Sequence, residues 1–487
     1  MVSCVPRPVP LSVRTGKLKT DLCGVMEIVI VPDSRCGSRN NWSSHGSRIV
    51  GWMLCFAWVA TVTTRLWAVD SGGATILPVT WYDSATGKTE PFFPFGWYID
   101  TYWELDGKHT NWGLITASGA KVVCMADVSR NVDMESLMDG AHAHQIKVVV
   151  GVNRHLCTGV DPAAPASHME LSELISAYKD HPGLLGWMIG DENEVHREVT
   201  PRDVVHAATI IRRIDPHNRI WQVFSGLNPE DSEAMPTPVD VLPYLPGTDI
   251  IASDQYFETD NRKSFEGSDA TLYHVTLSSA LAAGEGLPYV AVLQGFGNDF
   301  IAGLDKWRIP EHGELRWNIF SSIASSGSRG VILWIIPARL EQWYRNPEDC
   351  VQFMKNDVAP IFAELHSIKY AMETGYRVGR VEITWDTRAK DAAIWNKIFQ
   401  PVSQLLLYDD RQHQYFLIVT NNEWQKHQVQ ITLTDLPVAL TDLHVEAQRT
   451  GRDSEKESRL LKKRHGSYTF EDSLEHHQVV IYSFVAR

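Results

Sequence analysis

The residues most able to do chemistry sit together at Gly190-Asp191-Glu192-Asn193-Glu194, directly after the apolar run Leu184–Ile189 (LLGWMI). Four polar side chains at the end of a hydrophobic strand are costly unless they face a cavity or pair with one another. A carboxyl in such a place loses part of its hydration, which raises its pKa and equips it to donate a proton near neutral pH. Glu192 is the candidate proton donor, with Asp191 beside it. An alternative reading makes Asp191 the N-cap of a helix and Glu192 a first-turn carboxylate favoured by the macrodipole. Glu194 is expected to face solvent or to pair with a loop arginine.

Other apolar runs end on polar groups of the same kind. Asp254-Gln255-Tyr256 offers a second carboxyl, whose alternative use is to anchor a turn. Gln294 closes the run YVAVLQ, where its amide is suited to binding hydroxyls. Trp334, Tyr256, Trp97 and Tyr98 either stack and hydrogen-bond at a site or simply fill a core. Asn153, before Arg154 and His155, is a candidate hydroxyl binder, and Asp127 a further carboxylate. No HExxH, paired-Cys, P-loop or G-x-S-x-G pattern occurs, so neither a metal nor an organic cofactor is expected.

Positioning these groups requires a repeating scaffold. Strand-like runs fall at Phe92–Ile99, Lys121–Ala126, Lys147–Val152, Leu184–Ile189, Arg219–Phe224, Asp249–Phe257, Tyr289–Phe296 and Val331–Ile336. Continuous runs such as KVVVGV mark strands buried on both faces, as a parallel sheet requires. Helical patterns intervene at Met134–His144, Leu171–Lys179, Asp203–Ile214, Ala270–Ala283, Glu314–Ser325 and Cys350–Ile368. Eight strand–helix repeats in about 280 residues match a (β/α)8 TIM barrel, whose functional groups gather where strands end. A doubly wound sheet is disfavoured because no glycine-rich dinucleotide turn follows the first strand. After Gly375 the runs Arg380–Trp385, Leu405–Tyr408, Tyr415–Thr420, Val429–Thr434 and Val479–Phe484 alternate with period two, predicting an antiparallel β-sandwich of about 110 residues. The charged, hairpin-like stretch Arg452–Arg464 reads most simply as a solvated loop. The expected domains are a leader over 1–70, a barrel over 75–372 and a sandwich over 375–487.

The segment HPGLLGWMIGDENE (181–194) resembles the fourth-strand signature of clan A glycoside hydrolases, especially β-galactosidase-like barrels. There a Trp-x-x-x-Asp/Asn-Glu stretch ends in the acid/base glutamate, which implies that role for Glu192, with Asp191 in the place usually held by Asn. Asp254-Gln255-Tyr256 resembles an Asp-x-Tyr segment that lines the sugar site of that group. Pro310–Arg316, followed by Ser326-Gly327 and Gly330–Trp334, is similar to its seventh helix and eighth strand. The resemblance spans residues 90–487 and implies a carbohydrate-active enzyme without cofactor.

One residue departs from that pattern. A retaining clan A enzyme needs a carboxylate nucleophile at the tip of the seventh strand, where this chain has Gln294, and an amide cannot form the glycosyl ester. Three explanations stay open: a nucleophile from another strand end (Asp254, Glu258 or Asp127), an inverting mechanism, or a barrel that binds glycan without cleaving it. The separation of the carboxyls distinguishes the first two.

Charge bears on the partner. The chain carries a formal net charge of −14; with eight basic and four acidic residues in 1–70, the remainder holds 37 basic against 55 acidic side chains. Such an acidic body argues against nucleic acid and fits a neutral carbohydrate. Ile49–Thr63, flanked by Arg48 and by Leu66-Trp67-Ala68, has the basic flank, apolar stretch and small residue of an export signal. Its 15 residues fall short of the roughly 20 that a spanning helix needs, so a secreted or periplasmic protein is expected, with a membrane anchor through 49–63 as the alternative. The long stretch before it suggests a start codon at Met53 or elsewhere downstream. Four of the seven cysteines lie in this leader; Cys124, Cys157 and Cys350 are expected as buried thiols.

Overall fold

The computed structural model describes residues 77–100, 111–125, 132–227, 236–256, 268–297, 308–337, 347–374, 378–385, 401–442, 444–449 and 457–486. The leader over 1–70, with the 49–68 segment, lies outside them, as do Asp127 and Glu258. An opening hairpin, β1 (Thr80–Asp83) with β2 (Lys88–Pro91), precedes the barrel and was not expected from the sequence.

Eight parallel strands then close on themselves: β3 (Phe95–Asp100), β4 (Val122–Met125), β5 (Lys147–Val152), β6 (Leu184–Asp191), β7 (Arg219–Ser225), β8 (Ile250–Gln255), β9 (Tyr289–Gln294) and β10 (Val331–Pro337). β10 pairs with β3 to complete the ring. The apolar runs earn this placement by being buried on both sides, as Val148 to Val152 and Leu184 to Gly190 are throughout. Intervening helices are started by their own side chains. Asp133 accepts from the Ser136 N–H ahead of Met134–Ala143, and Thr200 and Asp203 form a reciprocal capping box ahead of Pro201–Ile214. The latter turns Val204, Ala207, Ala208, Ile210 and Ile211 onto the barrel. The segment expected as one helix from Cys350 to Ile368 is Pro347–Phe353, a π turn at Met354–Val358, and Ala359–Thr374. Cys124, Cys157 and Cys350 are free and buried.

The C-terminal strands form a sandwich of two antiparallel sheets. One holds β11 (Arg380–Trp385), β14 (His427–Thr434), β18 (Ser467–Leu474) and β17 (Lys462–Arg464). The other holds β12 (Val402–Asp409), β13 (Gln414–Asn421), β19 (Val479–Val485), β15 (His444–Gln448) and β16 (Glu457–Leu460). Within the stretch read as a solvated loop, Glu457–Leu460 and Lys462–Arg464 are therefore paired strands. The charges that suggested a loop are outward residues of an edge, where charge discourages further pairing.

The helix His312–Ala324 lies between barrel and sandwich, which is why every residue from Glu314 to Ala324 is buried. Arg316 ties the two together. It is ion-paired to Glu364 at 2.8 Å and donates to the carbonyls of Val479 (2.8 Å) and Arg449 (2.9 Å). The Trp317 indole N–H donates to Asn421 O at 2.9 Å.

Candidate active site

β6 ends in a turn that only its own sequence permits. Gly190 has φ +74°, and a Cβ there would lie 2.3 Å from Asn193 Oδ1. Asn193 is buried and donates from Nδ2 to Ile189 O (2.9 Å) and Gln222 Oε1 (3.3 Å), which closes the turn from inside. Glu192 takes φ +49°, a strained conformation for a non-glycine residue, while its N–H donates to Val223 O at 3.0 Å. The helix start belongs to Glu192 rather than Asp191, and Glu192 makes no side-chain cap bond. Its carboxylate is instead 27% exposed, with Oε2 3.2 Å from His196 Nε2. Asp191 Oδ1 accepts from the Tyr98 hydroxyl at 3.0 Å, across the barrel from β3.

The second acid comes from β8. Asp254 Oδ2 accepts from the Tyr256 hydroxyl at 3.1 Å, and Oδ1 is buried without a hydrogen-bond partner among the described residues. Burial first, then the charges of Glu192, Asp191 and Glu194, hold the Asp254 pKa well above the ordinary carboxylate range. Burial and the neighbouring acids likewise push up the Tyr98 and Tyr256 hydroxyls.

Glu194 corrects the expectation of a solvent-facing side chain. It is 5% exposed, its Oε1 accepts from the Ser225 N–H at 2.7 Å, and burial pushes its pKa up to about 8. The dry setting anticipated for Glu192 thus falls on Glu194 and on one oxygen of Asp254, because the strand end leaves Glu192 partly exposed while Asn193 and Glu194 turn inward.

Aromatic rings wall one side. Tyr256 stacks on Trp334 with centroids 5.3 Å apart, and Phe296 meets both edge-on at 5.3 and 4.7 Å. Gln294 lies beneath this wall, 1% exposed, its Nε2 donating to Phe296 O and Arg308 O at 3.0 Å each. In this placement its amide donors face main chain.

The structure does not bring Trp97 to the mouth. Its ring is 1% exposed, its Nε1 donates to Ser118 Oγ at 3.0 Å, and it packs edge-on against Phe362 in the helix layer. Alternation along the strand explains the exchange: if Tyr98 points into the barrel, Trp97 must point out. Asn153 caps the short helix Arg154–Cys157, its Oδ1 accepting from the His155 N–H at 2.9 Å. A narrow crevice beside it, with room of only about 10 Å³, is lined by Arg154, Asp191, Asn193, His196 and Glu198. Among the described residues no group of three His, Cys, Asp or Glu side chains is arranged to hold a metal.

Fold and site together define a (β/α)8-barrel protein with a C-terminal β-sandwich and a carboxyl-rich mouth, the architecture that the resemblance to clan A glycoside hydrolases implied. No family model and no curated protein matches the chain. Among solved structures it is similar to a GH30 endoxylanase from Clostridium papyrosolvens C71, at TM-score 0.45 and 11% identity over 85% of this chain and 98% of that one. A family 51 α-L-arabinofuranosidase, AbfB, from Bifidobacterium longum gives TM-score 0.46 and 12% identity over the same shares. A β-galactosidase from Halorubrum lacusprofundi gives 0.41 and 13% over 57% and 59%. Likenesses at this level describe architecture and assign no substrate or residue role.

Proposed function

We propose that this protein is an exported glycoside hydrolase acting on a neutral oligo- or polysaccharide, with the carboxyls of Glu192 and Asp254 as its acid/base pair. The observation that carries the reading is the contrast between them. Asp254 is half-buried, flanked by three other acids, with one carboxyl oxygen shut away from water and without a hydrogen-bond partner among the described residues; Glu192 is partly exposed beside His196. Burial and the neighbouring acids raise the proton affinity of Asp254, and two carboxyls in unlike surroundings can divide acid and base roles at one bond. Glu192 exchanges protons with the glycosidic oxygen or with water, and Asp254 is its counterpart across the mouth. The stacked Tyr256 and Trp334 offer an apolar wall against which a sugar face can lie. The acidic mouth disfavours phosphate or carboxylate substrates.

Wild type, Glu192→Gln and Asp254→Asn would be assayed on a panel of aryl glycosides and polysaccharides, with the anomer of the first product read by NMR. Each variant should lower turnover about 100-fold or more. Undiminished turnover in both removes the pair from the mechanism. Net retention would place a nucleophile at one of these carboxyls, and inversion would make one of them the base toward water.

A second reading, a non-catalytic glycan-binding barrel, draws support from Gln294, which supplies an amide where a nucleophile is expected. Saturable glycan binding by wild type without release of reducing sugar would favour it.

A further inference from the structure

Gln294 has a task of its own at the end of β9. Nε2 donates to Phe296 O and Arg308 O, so the amide bridges two points of main chain beyond the strand. The oxygen end of the side chain could not take this place, since it would meet the lone pairs of two carbonyls. Phe296, seated by one of these bonds, presses edge-on against Tyr256, and the Tyr256 hydroxyl reaches Asp254. We propose that Gln294 is a positioning residue, an amide clamp that seats Phe296 against Tyr256 and so fixes the dry setting of Asp254, and that this clamp excludes an ionised carboxylate from the strand end.

The exclusion follows from donor count. An amide NH2 supplies two hydrogens, a protonated carboxyl one and a carboxylate none. An ionised Glu at 294 would leave two carbonyls facing negative oxygens in a buried place, where unmet polar groups are expensive. The position is then no relic awaiting repair; a carboxylate there would break the wall that holds the other acid. Among the described residues the titratable groups that face Asp254 are Asp191, Glu192 and Glu194 from the end of β6, Tyr98 from β3, Tyr289 from β9, and Tyr256. Arg308, ion-paired to Glu314, belongs to the clamp itself.

Thermal unfolding of the full chain between pH 4 and pH 8 tests this without turnover, so its outcome is separable from the glycosidase reading on which only the catalytic sense of positioning rests. Gln294→Glu should unfold below wild type by a margin that widens as pH rises, because only its protonated form can donate. In wild type, Asp254→Asn should raise Tm at pH 7 and leave it nearly unchanged at pH 4; in Gln294→Met, which keeps the bulk without donors, that pH 7 gain should fall by at least half. A deficit of Gln294→Glu that is equal at both pH values, or an Asp254→Asn gain of equal size in both backgrounds, overturns the proposal. If Gln294→Glu folds at neither pH, the Gln294→Met comparison alone decides.

Discussion

Among the described residues the Asp254 carboxyl takes one hydrogen bond, from the Tyr256 hydroxyl two residues along the same chain, and faces the negative charges of three acids at the end of β6. Burial first, and then those charges from another strand end, raise the proton affinity of Asp254. Stability should register that arrangement.

A raised folded-state pKa means that folding retains a proton the unfolded chain would release. For Asp254 this costs nothing below the unfolded carboxyl pKa, near 3.9, and progressively more as pH rises from there toward the folded value. Asp254→Asn should therefore melt about 2 °C or more above wild type at pH 7 and level with it near pH 3. A uniform shift across pH would show that the carboxyl's ionisation is not what is felt.

Glu194 gives the same sign over a defined window. Its stability penalty should begin near pH 4.5 and level off above its folded pKa of about 8. Glu194→Gln keeps an acceptor for the Ser225 N–H while removing the titration. It should be increasingly more stable than wild type across that window, by at most roughly 5 kcal/mol at the upper end. Denaturant titrations at pH 4.5, 6.5 and 8.5 measure this; a gain already complete at pH 4.5 would contradict it.

Trp97 separates core from site. Trp97→Phe loses the bond to Ser118 Oγ and part of a buried ring, which should cost about 1–3 kcal/mol of stability. Turnover or glycan affinity, whichever the protein shows, should stay within a factor of about two of wild type. Trp334→Ala should reverse the pattern, weakening glycan binding more than stability. Equal loss of binding in both would return Trp97 to the site.

Arg316→Met tests the joint between the barrel and the sandwich. Breaking the buried pair leaves Glu364 charged and alone and two carbonyls without their donor, for about 3–5 kcal/mol. Replacing both residues with apolar side chains should recover much of that loss. A single variant as stable as wild type would show that the joint is held by apolar contact instead.

The eight barrel strands and strands β11 to β14 and β19 of the sandwich were legible in the residues because both periodicities are local, whereas the β1–β2 hairpin and strands β15, β16, β17 and β18 were not. β5 (KVVVGV) and β11 (RVEITW) begin and end where the sequence expects them, since a buried parallel strand and a half-exposed antiparallel one leave different apolar patterns. Boundaries moved where partners far along the chain extended a strand, as at β6, which runs to Asp191. The carboxyls at strand ends could be named as candidates for the same local reason.

Which way each side chain points was not local. Tyr98 rather than Trp97 faces the barrel because closure of the sheet chose one parity of β3. Glu194 is buried because β7 offers its Ser225 N–H, and Gln294 is a clamp because the chain returns to it at Arg308. Hydration of an acid depends on everything packed around it, and those neighbours come from strands far apart in sequence. Residue types at strand ends told which groups could carry a proton; only the closed barrel decided which of them is kept dry enough to hold one.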